Sequence, residues 1–364
     1  MENRTALVLP SPTMTHAPSI PHGAMTPAMT SAARVPAGRR RQVLRGLAAA
    51  GLAGSLGAPI YAQKTIRIRH AHSRSTTEPA HLAAEFFAKN VAERSGNRIQ
   101  IEVFPGEQLG PGKEVNEMIR QGANVMNITD PGYLSDFVPD IAVLNGPYLI
   151  QDPADFNRIV ASAWFRDIEA RLQKSGLKLV MNNGYFGQRH MIADKPIRTP
   201  EDMAGVTVRV PPNPMWIETL RAMGGRPTTI QWSEIYSALQ QNVVQAAEAP
   251  LGALWGSKLH EVRKTISMTG HFTAFTMWPI NAGYFSRLPG DVQALLLEEG
   301  ARAGAEQTRL TQTMQQDYID KFKAAGVSFV ECDLEAFRKA TAPVYSAFPK
   351  WTPKLHETVL ATLK

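Results

Sequence analysis

A single cysteine, Cys332, stands in 364 residues, so no internal disulfide can form and the fold must hold by burial alone. Aromatic residues make up only 8%. Signatures of common catalysts are missing as well: there is no GxSxG, no CxxC, no HExxH and no GxxxxGK[ST], and the run Gly252 to Lys258 (GALWGSK) has glycine spacing short of a phosphate loop. A secreted hydrolase is thereby left as a weak alternative. His70 and His72 share one strand face without a third ligand at supporting spacing. They read as solvated strand residues, and no metal or cofactor is expected. No apolar run reaches the roughly 20 strongly apolar residues that a bilayer span needs.

The segment 39–62, RRRQVLRGLAAAGLAGSLGAPIYA, is what the chain does have. Arg40 and Arg41 followed by Gln42, Val43 and Leu44, then an Ala/Gly/Leu stretch, form the pattern of a twin-arginine export signal. The expected cleavage is after Ala62, with a periplasmic mature chain; Met25 or Met29 would make more ordinary start sites. Residues 1–62 carry six arginines (Arg4, Arg34, Arg39, Arg40, Arg41, Arg45) and one acid, Glu2, so 33 bases face 31 acids in the remainder. The formal charge of +7 falls to +2. Most of the basicity is targeting signal, and no basic run interleaved with aromatics remains to suggest nucleic acid. About 300 mature residues exceed a usual single core, which predicts two lobes.

The mature chain opens as strand, helix, strand. Thr65 to Arg69 alternates with period two, Glu78 to Arg94 carries Leu82, Phe86, Phe87 and Val91 near helical spacing, and Ile99, Ile101 and Val103 alternate again. A helix over Glu114 to Gln121 and a short buried strand over Ala123 to Thr129 follow. This alternation predicts an α/β sheet with helices on its faces. Further on, Thr199-Pro200-Glu201-Asp202 reads as a helix start that Gly205 stops. In the strand Val206-Thr207-Val208-Arg209-Val210 the valines take one face and Arg209 the other. An arginine there can offer a planar two-pronged donor to a carboxylate in a cleft; the same spacing also suits an arginine paired with a structural acid or lying on a wet sheet edge.

The succession Gly187-Gln188-Arg189, then Pro196 to Pro211 (PIRTPEDMAGVTVRVP), then Ala222 to Pro227 (AMGGRP), then Trp232 to Gln240 (WSEIYSALQ) resembles the solute-binding proteins of TRAP (tripartite ATP-independent periplasmic) transporters, the DctP-type family. Val103 to Gly110, Leu288 to Gln293 and Ala342 to Phe348 extend the resemblance, which covers essentially all of 64–350. It implies a two-lobed, periplasmic-binding-protein-like α/β fold (type II-like), with hinge strands and a long helix bracing both lobes. The lobes are expected at 63–186 with 275–314, and at 187–274 with 315–364. It also implies a receptor that binds an organic acid and delivers it to the membrane permease subunits of a TRAP transporter. The chain would act as a monomer without cofactor; a ligand-presenting module for a membrane sensor is the alternative.

Carried over by position, the resemblance makes Arg209 the clamp for a ligand carboxylate and Arg189 a supporting arginine. Trp232 falls on a pocket aromatic or a core residue, His271 on a polar ligand contact or a local turn cap, and Asn281 on a frequent asparagine or a loop-fixing residue. One departure stands out. Where the family commonly reads Asp-Gly-Gln-Glu-Asn-Pro, this chain has Gln245-Ala246-Ala247-Glu248-Ala249-Pro250. Glu248 is left to order its loop or pair with an arginine. A methyl at Ala249 beside Trp232 leans the expected ligand towards a monocarboxylate with an apolar or aromatic body.

Asp291 to Ala325 lacks proline, and Leu310, Met314, Tyr318 and Phe322 recur every four residues before Gly326. This predicts one helix about 50 Å long, or two broken near Gly300 and Gly304. The export signal yields a direct test. Replacing Arg40 and Arg41 by lysine should hold the precursor in the cytoplasm, as read by fractionation. Equal periplasmic yield of the Lys-Lys form would assign export to the general secretory route instead.

Overall fold

A computed structural model of the chain describes residues 65–364; the segment expected to direct export and the expected cleavage after Ala62 lie outside the described residues. Among the described residues nine strands appear in chain order: β1 (Ile66–Ala71), β2 (Ile99–Phe104), β3 (Val125–Asn127), β4 (Leu177–Ala193), β5 (Thr207–Val210), β6 (Arg226–Thr229), β7 (Ala247–Pro250), β8 (Thr265–Asn281) and β9 (Ser328–Val330). The larger sheet runs β2-β1-β3-β8-β4-β7, with β9 beside β8, and β5 and β6 form a second, two-stranded sheet. β1 pairs in parallel with both β2 and β3, and β5 with β6. The expected strand, helix, strand opening is present, its helix spanning Pro79–Arg94.

β4 and β8 are 17 residues each and lie antiparallel along one another, with register shifts at Leu179/Met181, Met181/Gly184, Tyr185/Gly187 and Arg189/Met191. Each shift bends the ribbon and adds twist. Gly187, at φ +118°, takes the positive-φ conformation that one of these shifts requires. Both strands are buried on nearly every residue.

One sequence reading needs correction. His70 and His72 are not solvated: β1 lies inside the sheet, and their exposures are 0% and 2%. His70 sits edge-on to Trp278, 4.5 Å between ring centroids, with Phe87 at 6.2 Å. His72 shares a 3.1 Å hydrogen bond with His81. The alternation in β1 does separate core from water, since Arg67 and Arg69 are exposed, but His70 falls with Ile68 on the core side.

The long helical run is two helices, Gly290–Thr313 and Gln315–Ala324, with a single turn residue at Met314. The i to i−4 bonds continue across it, since Met314 N donates to Leu310 O and Tyr318 N to Met314 O. The first helix packs on β4 and on Pro79–Arg94, the second on the short helix Leu251–Gly256. Gly300 and Gly304 do not break the helix; they let it approach β4. A Cβ at Gly300 would lie 2.3 Å from Val180 O, and one at Gly304 1.9 Å from the Asn183 amide oxygen. Among the described residues no helix is long and apolar enough to cross a membrane.

Because the obstacle at Gly300 is backbone, Gly300→Ala should lower the unfolding free energy by about 1–3 kcal/mol despite alanine's better helix propensity. Gly290→Ala, which meets nothing within 4 Å, is the matched control. Equal urea midpoints for the two variants would contradict the close-packing role.

Candidate functional site

The ends of parallel strands from both sheets meet at one cleft. Arg74 follows β1, Glu107 follows β2, and Asp130 and Tyr133 follow β3; facing them, Arg209 lies on β5 and Trp232 follows β6. Carboxyl ends of parallel strands are where open α/β sheets bind ligands, because backbone polarity and loop freedom converge there. The space left between these side chains is narrow and opens to solvent.

Three arginines reach this cleft, in different electrostatic states. Arg189, leaving the bulged part of β4, forks onto Glu248: Nε donates to Oε2 at 2.5 Å and Nη2 to Oε1 at 2.7 Å. Its guanidinium carbon lies 4.4 Å over the Trp216 ring. Arg74 lies 4.1 Å over Phe186 and reaches Asp130 Oδ2 at 3.4 Å, a loose pair. Arg209 differs from both. Its Nε donates to Ile230 O at 2.9 Å and its guanidinium stands 5.1 Å over Trp232, yet among the described residues no carboxylate lies within 4.0 Å of it. At 2% exposure it is a buried cation without a counter-ion. Burial pushes its pKa down to about 10, so it keeps its charge at neutral pH.

Glu248 is the hub of a second set of contacts. Burial would raise its carboxyl, but the charge and hydrogen bonds of Arg189, with a contribution from His271, outweigh burial and hold it down at about 2. His271 Nε2 stands 3.4 Å from Glu248 Oε2, and its Nδ1 is 2.7 Å from Thr269 Oγ1. His271 is therefore a buried neighbour of the Arg189–Glu248 pair that also bonds within its own turn.

Of the residues singled out from sequence, Arg209, Arg189 and Trp232 line the cleft, and Glu248 and His271 stand behind Arg189. Asn281 is elsewhere: its Oδ1 caps a helix by accepting from Tyr284 N, and its Nδ2 donates to Ile119 O. It lies at the far end of β8, where it ties the helix Gly112–Arg120 to the helix Ala282–Ser286. Ala249 also needs correcting as a ligand-facing methyl. On β7 the side chains alternate, so Glu248 turns to Arg189 while Ala247 and Ala249 enter the main hydrophobic core. Sequence reasoning missed Arg74, Asp130, Tyr133 and Trp216. The first three sit just past predicted strands of a parallel unit, and scanning those strand ends for charged and aromatic residues would have found them.

The comparisons with known proteins agree with this geometry. The model of bacterial extracellular solute-binding protein, family 7 (DctP), matches residues 70–350. A TRAP periplasmic solute-binding protein from Ochrobacterium anthropi, solved with bound L-fuconate, is 36% identical with a TM-score of 0.81, over 82% of this chain and 100% of its own. One from Actinobacillus succinogenes, with bound L-galactonate, is 30% identical with a TM-score of 0.80, over 82% and 99%. The 2,3-diketo-L-gulonate-binding periplasmic protein YiaO of Escherichia coli is 29% identical over 303 residues, 82% of this chain and 91% of its own.

The buried titratable groups set two separate acid windows. His190 accepts from Gly270 N at 3.1 Å, and burial, then the nearby His271, lowers its pKa to about 3. The unfolded chain takes up that proton below about pH 6.5 and the folded one does not, so stability falls as pH drops from there towards 3. Glu248, depressed to about 2, contributes stability that is present above its unfolded value of 4.5 and is lost only below it. Urea midpoints should therefore already fall between pH 6.5 and 4.5, and His190→Asn should flatten that slope by up to about 1.4 kcal/mol per pH unit. An unchanged slope in the variant would remove His190 from this account.

Proposed function

The chain belongs to family 7 of the bacterial extracellular solute-binding proteins, and from that membership we propose that it is a periplasmic receptor for a singly charged organic acid, which it passes to a TRAP membrane transporter. The observation that carries the reading is Arg209. Arg74 has Asp130 and Arg189 has Glu248, whereas Arg209, a flat donor 2% exposed, has no carboxylate within 4.0 Å among the described residues, and Glu107 acts on it only at longer range. Burying an unpaired charge is costly, and one carboxylate forked onto the two Nη groups of that guanidinium offsets the cost. A second carboxylate would find no second unpaired cation. This supports a monocarboxylate over a diacid.

The body we favour is hydroxylated rather than apolar. The case for an apolar body rested on Ala249, whose methyl is in the core, and the faces of Trp216 and Trp232 are taken by Arg189 and Arg209. Relatives of similar fold bind L-fuconate and L-galactonate. For the lobes we keep 63–186 with 275–314 and 187–274 with the segment after 315, and move the last helix, Leu355–Ala361, to the first lobe. Its Leu355 and Val359 pack with Val138, Ile141 and Leu144. Closure then flexes β4 and β8, with the helix pair Gly290–Thr313 and Gln315–Ala324 following both lobes.

Arg209→Ala should weaken binding of aldonate-type monocarboxylates by more than about a hundredfold, since two charge-assisted hydrogen bonds contribute about 1.5–3 kcal/mol each. Arg209→Lys should recover little, because an ammonium cannot fork. Calorimetry on both variants at matched thermal stability makes the test, and unchanged affinity in both removes the clamp.

A further inference from the structure

Behind the carboxylate clamp the cleft holds two polar atoms without partners. Asp130 Oδ1 and Arg74 Nε are both fully buried, and among the described residues neither has a hydrogen-bond partner. The two residues are 5% and 6% exposed and both line the cleft with Arg209. The two groups meet through the long 3.4 Å contact between Nη2 and Oδ2, which leaves the other edge of each turned to neither its partner nor water. The pair is also fixed in place. Arg74 N donates to His72 Nδ1 at 3.0 Å, His72 is held in turn by His81, and Phe186 lies under the guanidinium. Asp130 opens the short helix Pro131–Leu134, where Gly132 is packed so close to Asn213 and Asn145 that a Cβ would lie 1.8 Å from the Asn213 amide nitrogen.

A buried donor and a buried acceptor, rigidly placed beside a carboxylate clamp, match neighbouring hydroxyl groups. A hydroxyl both donates and accepts, so one can donate a hydrogen bond to Asp130 Oδ1 while the oxygen of a second accepts one from Arg74 Nε. A hydrocarbon chain at the same place would leave both groups unsatisfied, which is the condition under which sites reject a ligand lacking a hydroxyl. We propose that Asp130 and Arg74 are the specificity-determining pair of this receptor and select polyhydroxylated monocarboxylates over their hydrocarbon counterparts. The inference rests on the receptor reading above.

The test measures Kd for two matched pairs of acids, L-fuconate with hexanoate and D-erythronate with butyrate, on the parent, Asp130→Ala and Asp130→Asn. The parent should prefer the hydroxylated member of at least one pair by tenfold or more. Asp130→Ala should reduce that ratio at least tenfold by weakening the hydroxylated acid alone, and Asp130→Asn should reduce it by less, since its amide still offers an oxygen. A ratio unchanged in both variants overturns the assignment while binding that still depends on Arg209 leaves the receptor reading standing. Should the variants not fold, the parent decides alone: equal affinity within both pairs overturns the proposal. A parent that binds none of the four acids overturns the proposal and the receptor reading together.

Discussion

One buried positive charge governs the rest of this molecule. Arg209 is inside the protein because β5 carries valines into the core on one face, Val208 and Val210 at 0% exposure, and must turn its arginine to the other. That other face is a cleft rather than solvent. The guanidinium keeps one backbone acceptor and one indole face, enough to hold its direction but not to replace the water it has lost. Its neighbour Arg189 shows what compensation looks like: a forked carboxylate, a histidine behind that carboxylate and an indole underneath. Two arginines of similar burial therefore do different work. The paired one reads as scaffold, and the unpaired one is the proposed ligand contact.

The frame that presents this charge is built from strand ends and two long crossing strands. β1 to β3 deliver Arg74, Glu107 and Asp130 from one side, and β5 and β6 deliver Arg209 and Trp232 from the other. β4 and β8 tie these groups together along 17 residues each. The irregularities in their pairing fall beside the site, Tyr185/Gly187 and Arg189/Met191 among them, so the ribbon bends where it carries Arg189. The helix Gly290–Thr313 stiffens the opposite face by lying on β4 closely enough to need Gly300 and Gly304.

How much of this could be read from the chain differs by element. The opening strand, helix, strand unit was legible to within two or three residues because its strands alternate and are bounded by Gly, Pro and polar turns, although its helix is only weakly amphipathic and leaves Leu82 exposed. β4 and β8 were not. Residues 265–281 are buried on almost every position, so their composition carries no period from which to tell a strand from a core helix. The site divides the same way. Arg209 was found because an arginine among valines is an anomaly, whereas Asp130 and Arg74 look like ordinary loop residues until the parallel pairing of β1 and β3 places them together. Ala249 misled because motif position says nothing of which face of a strand a residue takes; the pairing of His190 with Ala249 decides that.

The uncompensated charge also explains why closure would depend on ligand. In an open form Arg209 and the Arg74–Asp130 pair would be hydrated, and bringing the two sides together strips that water from a cation and from two unpaired polar edges. Without ligand, that desolvation opposes closure, and the little apolar surface buried across so small a cleft does not offset it. With a hydroxylated carboxylate in place, the same loss of water strengthens every charge-assisted bond in the site, because the local dielectric falls as the cleft shuts. The ligand thus shifts the open–closed equilibrium by the difference between its interactions in the two forms. On the proposed reading most of that difference lies on Arg209, the buried arginine that the described residues leave without a carboxylate partner.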